Sequence, residues 1–200
     1  DLNLGGRKSR LARVGDIDDL RRIAKRRTPA GPFNYVDGGA QDEYTHRGNR
    51  EAFRNLEFDP AILAGSADVD LSTTIAGVES RLPVGIAPTG FTRMMHTEGE
   101  VAGVRTADRF GVPFTLSTMG TRSIEDVAAC APNATKWFQL YLWRDRDASQ
   151  DLLERAWKNG FETLLVTVDT TVAGGRLRDV RHGLTIPPKL SAGTVLDASY

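Results

Sequence analysis

Polar residues that can hydrogen-bond a flat heterocycle follow four apolar stretches of the sequence. They are Pro88-Thr89-Gly90, Ser117-Thr118, Gln139 with Tyr141, and Thr167 with Asp169. Each residue alone has a purely structural explanation, such as satisfying a neighbouring carbonyl group. If all four stretches are strands of one barrel, however, their ends converge on a single mouth. Together the four groups therefore indicate one binding pocket.

Alternating strand and helix signals would position these groups. The run Thr163 to Asp169 is continuously apolar until its last residues, which is typical of a strand buried on both faces. The sequence predicts strands over 82–88, 112–117, 136–142 and 163–169, separated by helices over 98–110, 123–130 and 148–159. This order is typical of right-handed βαβ crossovers. It fits either a doubly wound sheet or half of an eightfold barrel. The absence of a G-x-G-x-x-G motif after the first strand disfavours a dinucleotide-binding sheet.

The residues before the first strand predict two further segments. Residues 1–15 are polar, basic and glycine-containing, so we expect a flexible arm. Residues 16–80 predict a helical and extended cap, with Asp16 capping a helix that stops before Pro29. Within the cap, 33–39 predicts a helical turn ended by two glycines that can take positive φ. Residues 81–200 would then form half of the barrel, ending in the loop after its fourth strand.

Composition excludes some classes of function. Lysine plus arginine equals aspartate plus glutamate at 26 each, so no overall field favours nucleic acid. A solvated helix face explains the basic residues between Arg21 and Arg27. No apolar run is long enough to span a bilayer, and the start lacks the apolar core of a signal peptide, so we expect a cytoplasmic protein. Because numbering begins at Asp1, we expect that this is not the whole translation product.

Seven blocks of the sequence occur in the order and spacing of a known family. They are Tyr35-Val-Asp-Gly-Gly-Ala-Gln-Asp, Ile86-Ala-Pro-Thr-Gly, His96-Thr-Glu-Gly-Glu, Leu116-Ser-Thr, Trp137-Phe-Gln-Leu-Tyr, Val166-Thr-Val-Asp and Gly175-Arg-Leu-Arg-Asp-Val-Arg. From about residue 16 to 188 the chain resembles the FMN-dependent α-hydroxy-acid oxidases and dehydrogenases, and most of all the bacterial respiratory L-lactate dehydrogenases. The resemblance implies an α/β fold, the (β/α)8 TIM barrel. Of that barrel, this chain would supply the N-terminal helical cap and the first four β/α units.

The resemblance also implies FMN as cofactor and a role for each residue of the predicted pocket. The residues that would contact the flavin are Pro88, Thr89, Gly90, Ser117, Gln139 and Thr167. The residues that would surround the substrate are Tyr35, Tyr141 and Arg176, with Tyr141 the catalytic residue of this half. Tyrosine hydroxyls and a guanidinium can orient the carboxylate of a small 2-hydroxy acid toward flavin N5.

The implied reaction is oxidation of an L-2-hydroxy acid, with L-lactate favoured, and electrons passing to a quinone or cytochrome. Two alternatives stay open: an oxygen-using oxidase or lactate 2-monooxygenase, and a non-catalytic barrel fragment or paralogue. Two departures from the family pattern are Met119, where glycolate oxidases carry tryptophan, and Thr171, where proline is usual. Met119 leaves the size of the substrate pocket open.

The general base of the family is a histidine in a later motif, which His46, His96 and His182 do not match. Half a barrel would also leave strand edges and apolar interior exposed. We therefore expect a C-terminal half-barrel, as a separate chain or as unrecorded residues. The resemblance suggests a homotetramer. We also expect peripheral contact with the inner face of the cell membrane through the loop after the fourth strand.

Overall fold

The computed structural model describes residues 12–63, 65, 68–170, 172 and 174–183. Most of the predicted arm, Thr171 and the predicted loop beyond Gly183 lie outside the described residues. The chain forms two compact units. The first comprises the described residues of Asp1–Phe58 and of Gly174–Tyr200, and the second those of Asp59–Ala173.

Helices and strands alternate through most of the described sequence. In chain order the elements are α1 (Ile17–Arg27), α2 (Ala30–Asp37), α3 (Tyr44–Ala52), β1 (Thr73–Ile75), β2 (Val78–Ser80), α4 (Glu100–Phe110), β3 (Phe114–Ser117), α5 (Ile124–Cys130), β4 (Lys136–Tyr141), α6 (Arg146–Lys158), β5 (Phe161–Thr167) and α7 (Leu177–Arg181). Two short 3-10 helices cover Phe53–Asn55 and Thr92–Met94. None of the helices in the described ranges is long and apolar enough to cross a bilayer.

One helix start of the first unit follows the predicted local signal, and one predicted helix end does not. Asp16 caps α1 as predicted, because its carboxylate accepts the Asp19 N–H at 2.7 Å. The expectation of positive φ at the glycine pair is wrong, since Gly38 has a φ of −95° and Gly39 also lies outside that region. Position 38 requires glycine for a different reason, because the backbone of α2 lies too close for a side chain. A Cβ on Gly38 would lie 2.7 Å from the Asn34 carbonyl oxygen.

The second unit contains a parallel sheet in the order β3-β4-β5, with helices in the connections. Its register places Ser117 opposite Gln139, and Tyr141 opposite Thr167. The predicted second, third and fourth strands are thereby confirmed, although β5 ends at Thr167, before Asp169. A separate antiparallel hairpin pairs β1 with β2.

The predicted first strand, 82–88, is reduced to a single bridge between Ile86 and Phe114. The Ile86 N–H donates to the Pro113 carbonyl at 2.8 Å, and the Ile86 carbonyl accepts the Thr115 N–H at 3.0 Å. Prolines at 83 and 88 remove two backbone donors, which explains why no longer ladder forms. Even so, the bridge lays this segment parallel to β3.

One face of the sheet forms the core with helices α4, α5 and α6. Leu116, Phe138 and Leu140 are almost fully buried there, and Phe138 meets Phe161 edge to face at 6.2 Å between ring centroids. The helices do not bury the same face of β5 to this extent. Leu164 and Val166 are register partners of Phe138 and Leu140, yet they are 45% and 48% exposed. Within the described sheet, β5 also has β4 as its only neighbour.

Packing of β4 against the helices generates a stability prediction. Replacing Leu140, which is 2% exposed, by alanine should lower the free energy of unfolding by about 3 kcal/mol, because the substitution leaves a cavity. Leu142→Ala is the matched control, since Leu142 is 54% exposed, and it should cost less than about 1 kcal/mol. Urea denaturation of both variants measures the difference. Equal losses would contradict the assignment of the core.

Candidate functional site

The predicted site residues fall into two groups, one in each unit. The second unit holds those at the strand ends: Pro88, Thr89, Gly90, Ser117, Gln139, Tyr141 and Thr167. The first unit holds Tyr35 and Arg176. Each group has its own hydrogen-bond network.

The side-chain amide of Gln139 joins the ends of the three strands. Gln139 is 3% exposed, and its Oε1 accepts the Ser117 hydroxyl at 3.1 Å and the Thr118 N–H at 3.2 Å. Its Nε2 donates to the Thr167 hydroxyl oxygen at 2.8 Å. Because a backbone N–H can only donate, the contact with Thr118 fixes which amide atom is oxygen. Ser117, Gln139 and Thr167, predicted separately, thus form one network.

The network leaves hydrogen-bond donors available. The Gln139 amide carries two hydrogens, of which Thr167 takes one. The Thr167 hydroxyl accepts that hydrogen, and its own hydrogen has no acceptor within the described ranges. At the Ser117 end of the network, the Ser117 hydroxyl donates to Gln139 and its oxygen accepts the Met119 N–H at 3.1 Å. This edge therefore suits a ligand that presents acceptor atoms.

Thr118 has a different role from its neighbour Ser117. Its hydroxyl donates to the backbone carbonyl of Gln139 at 2.5 Å and accepts the Tyr141 N–H at 3.0 Å. Both functions of the hydroxyl are used within the sheet, so Thr118 fixes the ends of β3 and β4. Tyr141 is half-buried at the end of β4, whereas Asp169 is exposed beyond β5.

The segment Pro88-Thr89-Gly90 lies against the loop after β3. A Cβ on Gly90 would lie 2.9 Å from the Met119 Cβ, and the adjacent Phe91 N–H donates to the Met119 carbonyl at 3.0 Å. Thr89 is exposed, and its hydroxyl lies 3.4 Å from the Ala87 carbonyl oxygen. Close packing on Met119 is therefore the reason that position 90 requires glycine.

Sequence reasoning missed Glu100, the first residue of α4. It is 3% exposed, and its carboxylate accepts the Thr121 N–H at 2.6 Å and the Thr121 hydroxyl at 2.8 Å. Burial opposes ionisation, but hydrogen bonding to the carboxylate, chiefly from the Thr121 N–H, outweighs it and holds the pKa of Glu100 below its usual value. An acidic residue directly after a glycine at a helix start was the available signal.

In the first unit, Arg176 lies against Tyr35. Its guanidinium carbon is 4.8 Å from the centre of the Tyr35 ring, and its Nη2 donates to the carbonyls of Tyr35 and of Gly38. Its Nε donates to the Asp179 carboxylate at 2.5 Å. Arg176 therefore ties the end of α2 to the start of α7. Its contact with a substrate stays a prediction.

An ionic cluster supports this arrangement. Arg178 donates to Asp37 at 2.9 Å and to Glu43 at 2.5 Å, and Arg21 also pairs with Asp37. The hydrogen bond from Arg21, with a smaller contribution from Arg178, overcomes burial and lowers the pKa of Asp37 to about 2. The cluster links α1, α2 and α7.

A parallel sheet with hydrogen-bond donors gathered at its carboxyl edge is the arrangement of part of a (β/α)8 barrel, which binds ligands at that edge. The comparisons agree with this class. The family model described as FMN-dependent dehydrogenase matches residues 24–200. The chain belongs to this family, whose cofactor is FMN, and its fold is that of the N-terminal part of the barrel.

Similar proteins include oxidases and dehydrogenases. A Mycobacterium tuberculosis protein with a provisional L-lactate dehydrogenase name is 56% identical over 96% of this chain and 46% of its own length. Glycolate oxidase 1 of Zea mays is 36% identical over 90% and 49%. The structure of a soluble mutant of the membrane-associated (S)-mandelate dehydrogenase of Pseudomonas putida matches with a TM-score of 0.82 and 35% identity, over 88% and 50%. The chain spans about half the length of the curated relatives it matches.

The Asp37 ion pairs predict a dependence of stability on pH. Since the folded pKa of Asp37, about 2, lies below its ordinary value of 3.8, ionised Asp37 stabilises the fold above pH 4, and the effect is lost as pH falls toward 2. Asp37→Asn should therefore cost about 1–2 kcal/mol at pH 7 and progressively less as pH falls below about 4.

Thermal denaturation across this pH range measures the difference. Asp18→Asn is the control in the same unit, because the Asp18 carboxylate is 54% exposed beside Arg50 and should contribute little. A cost of Asp37→Asn that stays constant from pH 7 to pH 3 would contradict the account.

Proposed function

We propose that this chain is the FMN-binding half of an oxidoreductase that converts an L-2-hydroxy acid, with L-lactate favoured, to the 2-oxo acid. The observation that carries the proposal is the network in which Gln139 joins Ser117 and Thr167 at the carboxyl edge of the sheet. Family membership and the lactate dehydrogenase name of the Mycobacterium tuberculosis relative support it. When bound, FMN supplies the redox chemistry by accepting two electrons from the acid.

The residues of this edge fit a flavin ring. The second Gln139 N–H and the Thr167 O–H are donors that can meet the carbonyl and nitrogen acceptors of the ring. Reduction builds negative charge on the ring, and donors already fixed by the sheet stabilise that charge without reorganisation. The close contact of Gly90 with Met119 leaves backbone rather than a side chain at this point of the edge.

The substrate-binding residues are the proposed partners of the acid. Tyr35 and Tyr141 would offer hydroxyl donors to its carboxylate, and Tyr141 is the proposed catalytic residue of this half. Arg176 would fix Tyr35 through the contacts already described, and would add positive charge near the carboxylate. The proposed proton-abstracting base is a histidine of the family that lies outside residues 1–200.

A complementary half-barrel is part of the proposal. The outer face of β5 is half exposed at Leu164 and Val166, and the relatives are about twice as long as this chain. Further β/α units would cover that face and continue the sheet. We further propose a homotetramer in the cytoplasm. The membrane association of the Pseudomonas putida relative supports peripheral contact with the cell membrane.

The proposed reaction predicts that L-lactate bleaches the flavin. Under nitrogen, adding L-lactate to the assembled flavoprotein should remove the yellow absorption band, because electrons reach FMN and have no further acceptor. D-lactate is the control and should leave the band unchanged. Bound FMN that no 2-hydroxy acid bleaches would favour the alternative of a non-catalytic barrel protein.

The electron acceptor separates the two catalytic alternatives. We propose a quinone or cytochrome, and the maize glycolate oxidase supports the oxygen-using alternative. Stopped-flow mixing of the reduced flavoprotein with a quinone should reoxidise it much faster than mixing with air-saturated buffer. Rapid reaction with oxygen would instead identify an oxidase or monooxygenase.

The role of Thr167 predicts an effect on flavin affinity. Thr167→Val removes one hydroxyl donor, and also the acceptor of the Gln139 Nε2 hydrogen. It should raise the FMN dissociation constant at least about five- to tenfold, which corresponds to about one hydrogen bond. Thr163→Val is the matched control, because Thr163 is half-buried on the same face of β5, near its other end. Quenching of FMN fluorescence measures both affinities. Equal affinities of the two variants would remove Thr167 from the flavin site.

A further inference from the structure

We propose that Glu100 is a positioning residue that holds together the two loops beside the flavin edge. These loops are 88–93, which follows the Ile86 bridge, and 118–122, which follows β3. The inference rests on the proposed function, because it assigns these loops to an FMN site. In this proposal Glu100 does not touch FMN and affects its binding only by holding these two loops in place.

Glu100 anchors loop 118–122. Both carboxylate oxygens of Glu100 are used: Oε1 accepts the Thr121 N–H at 2.6 Å, and Oε2 accepts the Thr121 hydroxyl at 2.8 Å. Within the same loop, the Gly120 N–H donates to the Ser117 carbonyl at 2.9 Å. The turn between Ser117 and Thr121 is therefore held from both ends, by the strand and by α4.

Loop 118–122 is in turn hydrogen-bonded to loop 88–93. The Thr121 hydroxyl oxygen accepts the Arg93 N–H at 3.3 Å, and the Met119 carbonyl accepts the Phe91 N–H at 3.0 Å. Gly90 then packs on Met119, with no room for a side chain. A shift of Thr121 would consequently move the Met119 surface on which residues 90 and 91 rest.

Loop 118–122 is also hydrogen-bonded to the Gln139 network. The Met119 N–H donates to the Ser117 hydroxyl oxygen, and this hydroxyl donates in turn to Gln139. If loop 118–122 loosens, Ser117 loses the donor that fixes its hydroxyl. Glu100 thereby influences both the backbone at Gly90 and the orientation of the Gln139 amide.

A carboxylate suits this position better than an amide. Its oxygens only accept, and both Thr121 groups donate to them. Glutamine would keep the Thr121 N–H bond but would direct its own N–H hydrogens at the Thr121 hydroxyl. The Thr121 hydroxyl hydrogen would then lose its acceptor at 2.8 Å and keep only the Oε1 contact at 3.0 Å, so Glu100→Gln should perturb the loops less than Glu100→Ala but should not restore them fully.

The experiment compares three variants of the assembled flavoprotein after removal of FMN. Glu100→Ala should raise the FMN dissociation constant at least tenfold and should speed hydrogen exchange in residues 118–122 and at Tyr141, whose N–H donates to the Thr118 hydroxyl, while exchange in residues 136–140 of β4 stays unchanged. Glu100→Gln should give intermediate values in both measurements. Glu98→Ala is the control, because Glu98 is exposed two residues earlier, and it should change neither.

The outcomes separate this inference from the proposed function. Faster loop exchange with unchanged FMN affinity would show a merely structural role and overturn the inference. A uniform rise in exchange throughout the sheet would overturn it as well. If Glu100→Ala does not fold, Glu100→Gln decides, and unchanged FMN affinity of that variant counts against the inference. Failure of the parent protein to bind FMN would instead refute the proposed function.

Discussion

The candidate site depends on one buried amide. Gln139 lies on the middle strand of the sheet, and its two polar atoms reach Ser117 on one side and Thr167 on the other. A buried amide is costly unless its hydrogen bonds are made, so these contacts order the strand ends before any ligand binds. What the network leaves over is a set of fixed donors. Such preorganisation is what stabilisation of a developing negative charge requires.

The sheet constrains what the chain can do by itself. On the side of the sheet that faces the helices, Phe138 and Leu140 are buried, but Leu164 and Val166 on the same face are about half exposed. Since the family barrel places its site at a closed ring of strands, the three parallel strands and one bridge found among the described residues supply only part of a pocket. This agrees with relatives about twice as long, and with a proposed general base outside residues 1–200.

Sequence patterns predicted the alternating elements well, because buried strands and glycine- or proline-ended helices are local signals. They overestimated the strand at 82–88, where Pro83 and Pro88 cannot donate to a ladder. They grouped Ser117, Gln139 and Thr167 at one edge but could not give their donor directions, which depend on register. Sequence patterns predicted neither the role of Glu100 nor the packing of Arg176 on Tyr35. The first depends on the geometry of the Thr121 loop, and the second joins residues distant in the sequence.

The most direct test of the central claim is a crystal structure of the assembled protein with FMN bound. We predict that the flavin ring lies at the carboxyl edge of β3, β4 and β5, with the Gln139 amide and the Thr167 hydroxyl within hydrogen-bond distance of its acceptor atoms. The backbone of Gly90 should lie along the ring. A flavin bound elsewhere, with the Gln139 network intact and facing only water, would contradict the account.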